Sequence, residues 1–160
     1  MDLELLKFQE DDFDSYYSLV SNESVMAQIT ERAIPYDEAK VDFQKLLKRN
    51  EKYEKYGSYK VYDCFDETFV GLGHLTLNEK QISEAEIGYM LLPEYWGKGY
   101  GTETAKKIIE IANQLEIMVL KAIIDPENLP SKKILSNLGF ESQEFCVIDG
   151  LSGEVLSKKI

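Results

Sequence analysis

The chain has 160 residues, 44% of them hydrophobic and 29% charged, with a net charge of −11. That length supports one domain, 1–160, with its own core, and no run approaches the roughly 18 apolar residues of a membrane span. The chain has no basic stripe of the kind that marks nucleic-acid binders, and its two distant cysteines and one histidine exclude a CxxC redox motif and a multi-histidine metal centre.

In chain order, "LELLKF" (3–8) reads as a first strand, and the acidic segment around it is neither a signal nor a transit peptide, which points to the cytoplasm. "DDFDSYYSLVS" (11–21) has helical spacing. "PYDEAKVDFQKLLKRNEKYEKY" (35–56) is a clearer helix: Pro35 suits its start, and Ala39, Phe43, Leu46 and Leu47 form one apolar stripe. A short helix and a loop are expected between the two. "SYKVYDCF" (58–65), the turn Asp66-Glu67 and "TFVGLGHLTL" (68–77) read as a hairpin, and "EAEIGYMLL" (84–92) as a further strand. "TETAKKIIEIANQL" (102–115) is an amphipathic helix, "IMVLKAIID" (117–125) a strand of the type buried on both faces, and "NLPSKKILSNLGF" (128–140) a short helix capped by Asn128. Two terminal strands follow. The order β-α-α-β-β-β-α-β-α-β-β predicts a mixed α/β sheet, mostly antiparallel, with one parallel βαβ crossover over 84–125. Cys64 and Cys146, in strand-like runs, are expected as buried free thiols.

The stretch "YWGKGYGTE" (95–103) places Gly97, Gly99 and Gly101 at alternate positions between a strand and a helix. Free amides at a helix start, bared by glycines, make an anion site. The P-loop pattern fails because Lys98 is followed by Gly99, and the dinucleotide fingerprint fails because Thr102 occupies its last glycine position. Lys98 is either a phosphate contact or a solvated loop lysine; Thr102 is an N-cap, a phosphate contact, or both.

The remaining spacing, x-x-x-G-x-G ending at Gly99 and Gly101, resembles the acetyl-CoA pyrophosphate loop of the GNAT superfamily of N-acetyltransferases. "EIGYMLLPEYWGKGYGTETAKKII" and "DPENLPSKKILSNLGFE" are similar to the branch containing the Rim-type ribosomal-protein N-terminal acetyltransferases and the polyamine acetyltransferases. The resemblance covers essentially the whole chain. The Gln/Arg of the broad signature is replaced by Trp96, as that branch tolerates.

The resemblance implies a GNAT fold and transfer of acetyl from acetyl-CoA to an amine, without a metal, with a homodimer as a possible assembly. It places the diphosphate at Gly97, Lys98, Gly99, Tyr100, Gly101 and Thr102. The pantetheine arm would pair with the backbone of Met90, Leu91 and Leu92 and with Asn128. Glu86 would be the general base, or else a glutamate with a structural hydrogen bond. Ser131 would protonate the departing thiolate, or else cap its helix. Tyr89 and Tyr100 would be alternative acids, or else packing residues. His74 lines the acceptor side or is structural, and Trp96 wedges the loop. The acceptor wall would fall at 22–36, with Asp11, Asp12, Glu23 and Glu31 either attracting a cation or forming plain surface charge. Neither cysteine has a nucleophile's setting, so direct transfer without an acyl-enzyme is expected. A polyamine or small-amine acetyltransferase and a non-catalytic acyl-CoA sensor are the competing readings.

Overall fold

The computed structural model describes residues 1–160. Seven strands form one sheet: β1 (Leu3–Lys7), β2 (Gly57–Asp63), β3 (Thr68–Leu77), β4 (Glu84–Leu91), β5 (Val119–Ile124), β6 (Glu141–Ile148) and β7 (Leu151–Lys159). Their spatial order is β1-β2-β3-β4-β5-β7-β6, and only β4 and β5 are parallel. The helices are α1 (Phe13–Val20), α2 (Glu23–Met26), α3 (Tyr36–Lys52), α4 (Tyr100–Ala112) and α5 (Leu129–Asn137). None is long and apolar enough to cross a membrane.

The apolar stripes decide which helix covers which face. Ala39, Phe43, Leu46 and Leu47 of α3 recur at helical spacing and pack with Phe8, Leu19 and Leu72 into one core. Asp37 and Glu38 sit in the first turn of α3 and Arg49 and Lys52 in its last, each complementing the helix dipole. On the opposite face, Ala105, Ile108 and Ala112 of α4 and Leu135 of α5 pack on Leu75, Ile87, Leu120 and Leu156. Each fully buried Leu, Ile or Phe contributes roughly 1.5–3 kcal/mol of transfer free energy.

Three expectations need correction. The strand at 117–125 is covered on one face only: Leu120 and Ala122 are buried, but Ile123 is 40% exposed. The core formed by α1 and α3 takes no residue from β5, so that face has no cover. Both cysteines are half-buried rather than buried, because β2 ends at Asp63 and leaves Cys64 in the turn, while Cys146 lies on the outer strand β6. Finally, the glycine stretch belongs partly to α4, which starts at Tyr100 with Gly99 as its N-cap. Thr102 is therefore a third helical residue and not the cap.

Candidate active site

The parallel pairing of β4 with β5 is short. It covers Glu84↔Val119, Ala85↔Leu120 and Glu86↔Lys121, after which the strands part. The rest of β4 thus has a free edge on one side and β3 on the other. Alternation assigns its peptide groups. Leu92 N–H donates to Val70 O at 3.0 Å, and the Met90 carbonyl points at Gly71. Met90 and Leu92 are therefore engaged with β3, and the peptide groups of Tyr89 and Leu91 face the gap. Of the three residues 90–92, this leaves Leu91 turned toward the gap and adds Tyr89. Trp96 Nε1–H donates to Leu91 O at 2.9 Å, which ties the glycine loop to the end of β4.

At the end of the gap, Gly97 (φ 70°) and Gly99 (φ 90°) are both left-handed, a region that side-chain-bearing residues rarely adopt. Gly99 has no side chain with which to cap α4, so the first amides of Tyr100, Gly101 and Thr102 point outward without intrahelical partners. Gly101 is buried: a Cβ there would lie 2.9 Å from Ile134 Cδ1. Its small size lets α5 close against α4. Lys98 is exposed. A groove of about 540 Å³ flanks the same helix end, lined by Met1, Asp2, Gly99, Thr102 and Lys107 among others.

Asp63 braces this loop, a role nothing in the sequence signalled. It is fully buried and accepts from Tyr100 Oη–H at 2.9 Å, Phe65 N–H at 3.0 Å and Asp2 N–H at 3.2 Å. Burial pushes its pKa up, but the three donors outweigh burial and hold the carboxyl below its ordinary value. Tyr100 in turn packs edge-on against Tyr95, with ring centroids 4.9 Å apart. Asp63→Asn is expected to raise the KM for acetyl-CoA severalfold while leaving kcat unchanged. Steady-state kinetics with acetyl-CoA as the varied substrate checks this.

Glu86 and His74 meet on the other face of β4. His74 lies opposite Gly88 across β3–β4, and its ring occupies the space a Cβ on Gly88 would need. Its Nδ1 is 3.0 Å from Thr76 Oγ1, and its Nε2 is 3.8 Å from Glu86 Oε2. Burial, helped by the Arg49 charge, lowers the His74 pKa to about 4, so the ring is neutral at pH 7. Burial raises the pKa of Glu86. Glu84, by contrast, is paired with Lys121 at 3.3 Å. Glu86 has no lysine or arginine within ion-pair distance. Of the acidic residues expected near the acceptor, Asp12 is held by Lys60 at 2.9 Å.

On α5, the Asn128 side chain caps the helix by accepting from Ser131 N–H at 3.3 Å, which leaves its amide N–H groups free to donate. Ser131 is half-buried in the first turn. The end of the β4–β5 pairing and the left-handed loop that follows β4 thus lie along one stretch of chain, with Glu86 on the same strand. A long thiol cofactor with a diphosphate would find amides at one end and strand-edge peptide groups along the way.

Comparison with known proteins agrees with this geometry. The family described as "Acetyltransferase (GNAT) domain" matches residues 2–141. An uncharacterized N-acetyltransferase of Schizosaccharomyces pombe is 30% identical, over 95% of this chain and 89% of that one. The GNAT-family acetyltransferase from Bacillus anthracis has a TM-score of 0.84 at 19% identity, covering 99% of this chain and 95% of that one. The spermidine N-acetyltransferase from Vibrio cholerae, solved with CoA and spermine, has a TM-score of 0.82 at 18% identity, covering 99% of this chain and 95% of that one. At those identities the structural likeness speaks for the fold alone, and the sequence match carries the family. On that match, the chain belongs to the GNAT family of acetyltransferases.

Proposed function

We propose that this protein transfers acetyl directly from acetyl-CoA to a primary amine, an α-amino group or an aliphatic amine. The observation that carries this is the parting of β4 from β5 beside the Gly97–Gly99 loop, with an unpaired Glu86 on the same strand. The diphosphate binds the outward amides of Tyr100, Gly101 and Thr102, with Lys98 adding charge. The pantetheine arm pairs with the peptide groups of Tyr89 and Leu91 as an added strand and accepts from Asn128. A strand-edge N–H facing the thioester oxygen stabilises the charge that develops there. Glu86 removes the amine proton, directly or through one water. Ser131 donates toward the departing sulfur. The similarity to the Rim-type and polyamine branch supports these roles at the loop, at Asn128 and at Ser131.

The neutral amine sets the difficulty of the reaction. A lysine-like amine with a pKa near 10.4 costs about 4.6 kcal/mol to present unprotonated at pH 7, whereas an α-amino group costs about 1.0–1.4 kcal/mol. A carboxylate with no competing cation fits the harder case and draws an ammonium to it. Thiol release from acetyl-CoA, measured with polyamines, lysine-like amines and N-terminal peptides, tests the reading. Release with at least one class is expected. CoA binding without release from any of them would make the protein a non-catalytic acyl-CoA binder.

A further inference from the structure

Tyr89 sits on β4 three residues beyond the last pairing with β5. Its ring points toward α4 and α5: a Cβ placed on Gly101 would lie 3.6 Å from Tyr89 Cε2 and 2.9 Å from Ile134 Cδ1. Ile134 lies three residues after Ser131 on α5, so both side chains occupy the helix face that looks at Tyr89. The Tyr89 hydroxyl is sealed from solvent and has no partner in hydrogen-bond geometry. The Ser131 hydroxyl, one turn before Ile134, is near enough to bear on the Tyr89 phenol although the two are not in hydrogen-bond geometry.

Packing gives no reason for that oxygen. A buried hydroxyl left unpaired is destabilising, and phenylalanine would fill the same space without the penalty. The oxygen does have a use if Ser131 turns toward the departing sulfur during the reaction.

We infer that Tyr89 is a positioning residue for acyl transfer, its hydroxyl donating to Ser131 Oγ while the Ser131 hydroxyl donates to the leaving sulfur of CoA. The inference rests on the acetyl-transfer reading above. The amine lone pair forms the C–N bond, and the carbonyl π pair moves to oxygen. Collapse restores the carbonyl and breaks the C–S bond, with its electron pair leaving on sulfur. The ammonium proton passes to Glu86, and the thiolate takes a proton from solvent. Tyr89 stays a phenol throughout, and burial, which raises its pKa, keeps it protonated. Its effect is cooperative: a serine hydroxyl whose oxygen accepts a hydrogen bond is a stronger donor.

Tyr89→Phe and Ser131→Ala, each compared with the wild-type chain, test this with three readouts. The first is kcat and KM, the second the melting temperature, and the third the titration of the bound CoA thiol by thiolate absorbance. For Tyr89→Phe, kcat is expected to fall about tenfold, with the KM for acetyl-CoA within about twofold and a melting temperature equal to or above wild type. The bound thiol should titrate roughly half to one pH unit higher, since a donor to the thiolate has been weakened. The double variant should lose no more than Ser131→Ala alone, because the two hydroxyls act as a unit. Wild-type kcat, or an unchanged thiol titration, in Tyr89→Phe overturns the inference. Failure of the acetyl-transfer reading shows separately, as no turnover by the wild-type chain with any amine. The thiol titration then still decides the role of Tyr89.

Discussion

Glu86→Gln is expected to lower kcat toward an aliphatic amine by about 10²–10⁴-fold, the range a positioned general base contributes. The substitution keeps the side chain's shape and its place 3.8 Å from His74 Nε2, but it cannot accept the proton. His74 does not take over, because burial and the Arg49 charge hold its pKa at about 4 and leave it a weak, uncharged base. The loss should be smaller for an α-amine acceptor, whose deprotonation costs about 1.0–1.4 kcal/mol rather than about 4.6. The pH dependence follows the sign of the shift. Glu86 works only when ionised, so wild-type kcat/KM should fall as pH drops through its pKa, which burial places above the ordinary glutamate value. That acid limb should vanish in Glu86→Gln. Steady-state rates against pH, with one aliphatic amine and one N-terminal peptide, check both points. A variant within threefold of wild type on both acceptors would remove Glu86 from the mechanism.

Gly99→Val is expected to weaken CoA binding by about one to two powers of ten. Gly99 holds φ at 90°, and a β-branched residue there costs of order 1–3 kcal/mol in backbone strain. Relief of that strain would turn the amides of Tyr100 and Gly101 away from the diphosphate. The site is solvent-facing, and the nearest heavy atom to an added Cβ is Met1 Cε at 3.8 Å, so the core is not disturbed. The melting temperature should therefore move little while the Kd for CoA rises, as measured by calorimetry. Gly101→Val should differ in its effect on stability. Its added methyls would press on Ile134 and Tyr89, so stability should suffer along with binding. Equal Kd values for Gly99→Val and wild type would place the diphosphate elsewhere.

The parts of this protein legible in the sequence share one property, which is that they depend on near neighbours. The stripe Ala39, Phe43, Leu46, Leu47 predicts α3, and alternation along 84–92 correctly puts Glu86 and Tyr89 on opposite faces. Glycines between a strand and a helix are sufficient to predict bare amides at the helix start, because the unpaired first turn is a local property, whereas the left-handed φ of Gly97 and Gly99 is seen in the structure. The distances within "NLPS" place Asn128 as the α5 cap, since capping spans only three residues.

Tertiary structure decided what depends on distant partners. Asp63 reads as an unremarkable strand end until Tyr100, 37 residues on, and Asp2, 61 residues back, donate to it. Whether the strand at 117–125 is covered on one face or two turned on where α1 and α3 pack. The gap itself exists because β4 and β5 pair over three residues only, and that pairing also decides that the Tyr89 and Leu91 peptide groups face it while Met90 and Leu92 bond to β3. The closed-off hydroxyl of Tyr89 and the lowered pKa of His74 are likewise properties of enclosure. The sequence by itself determined the elements, the loop and the chemistry-bearing residue types, because hydrophobic period and backbone conformational limits act within a few residues. The fold alone decided which of those residues meet, since burial and charge are set by whatever surrounds a group in space.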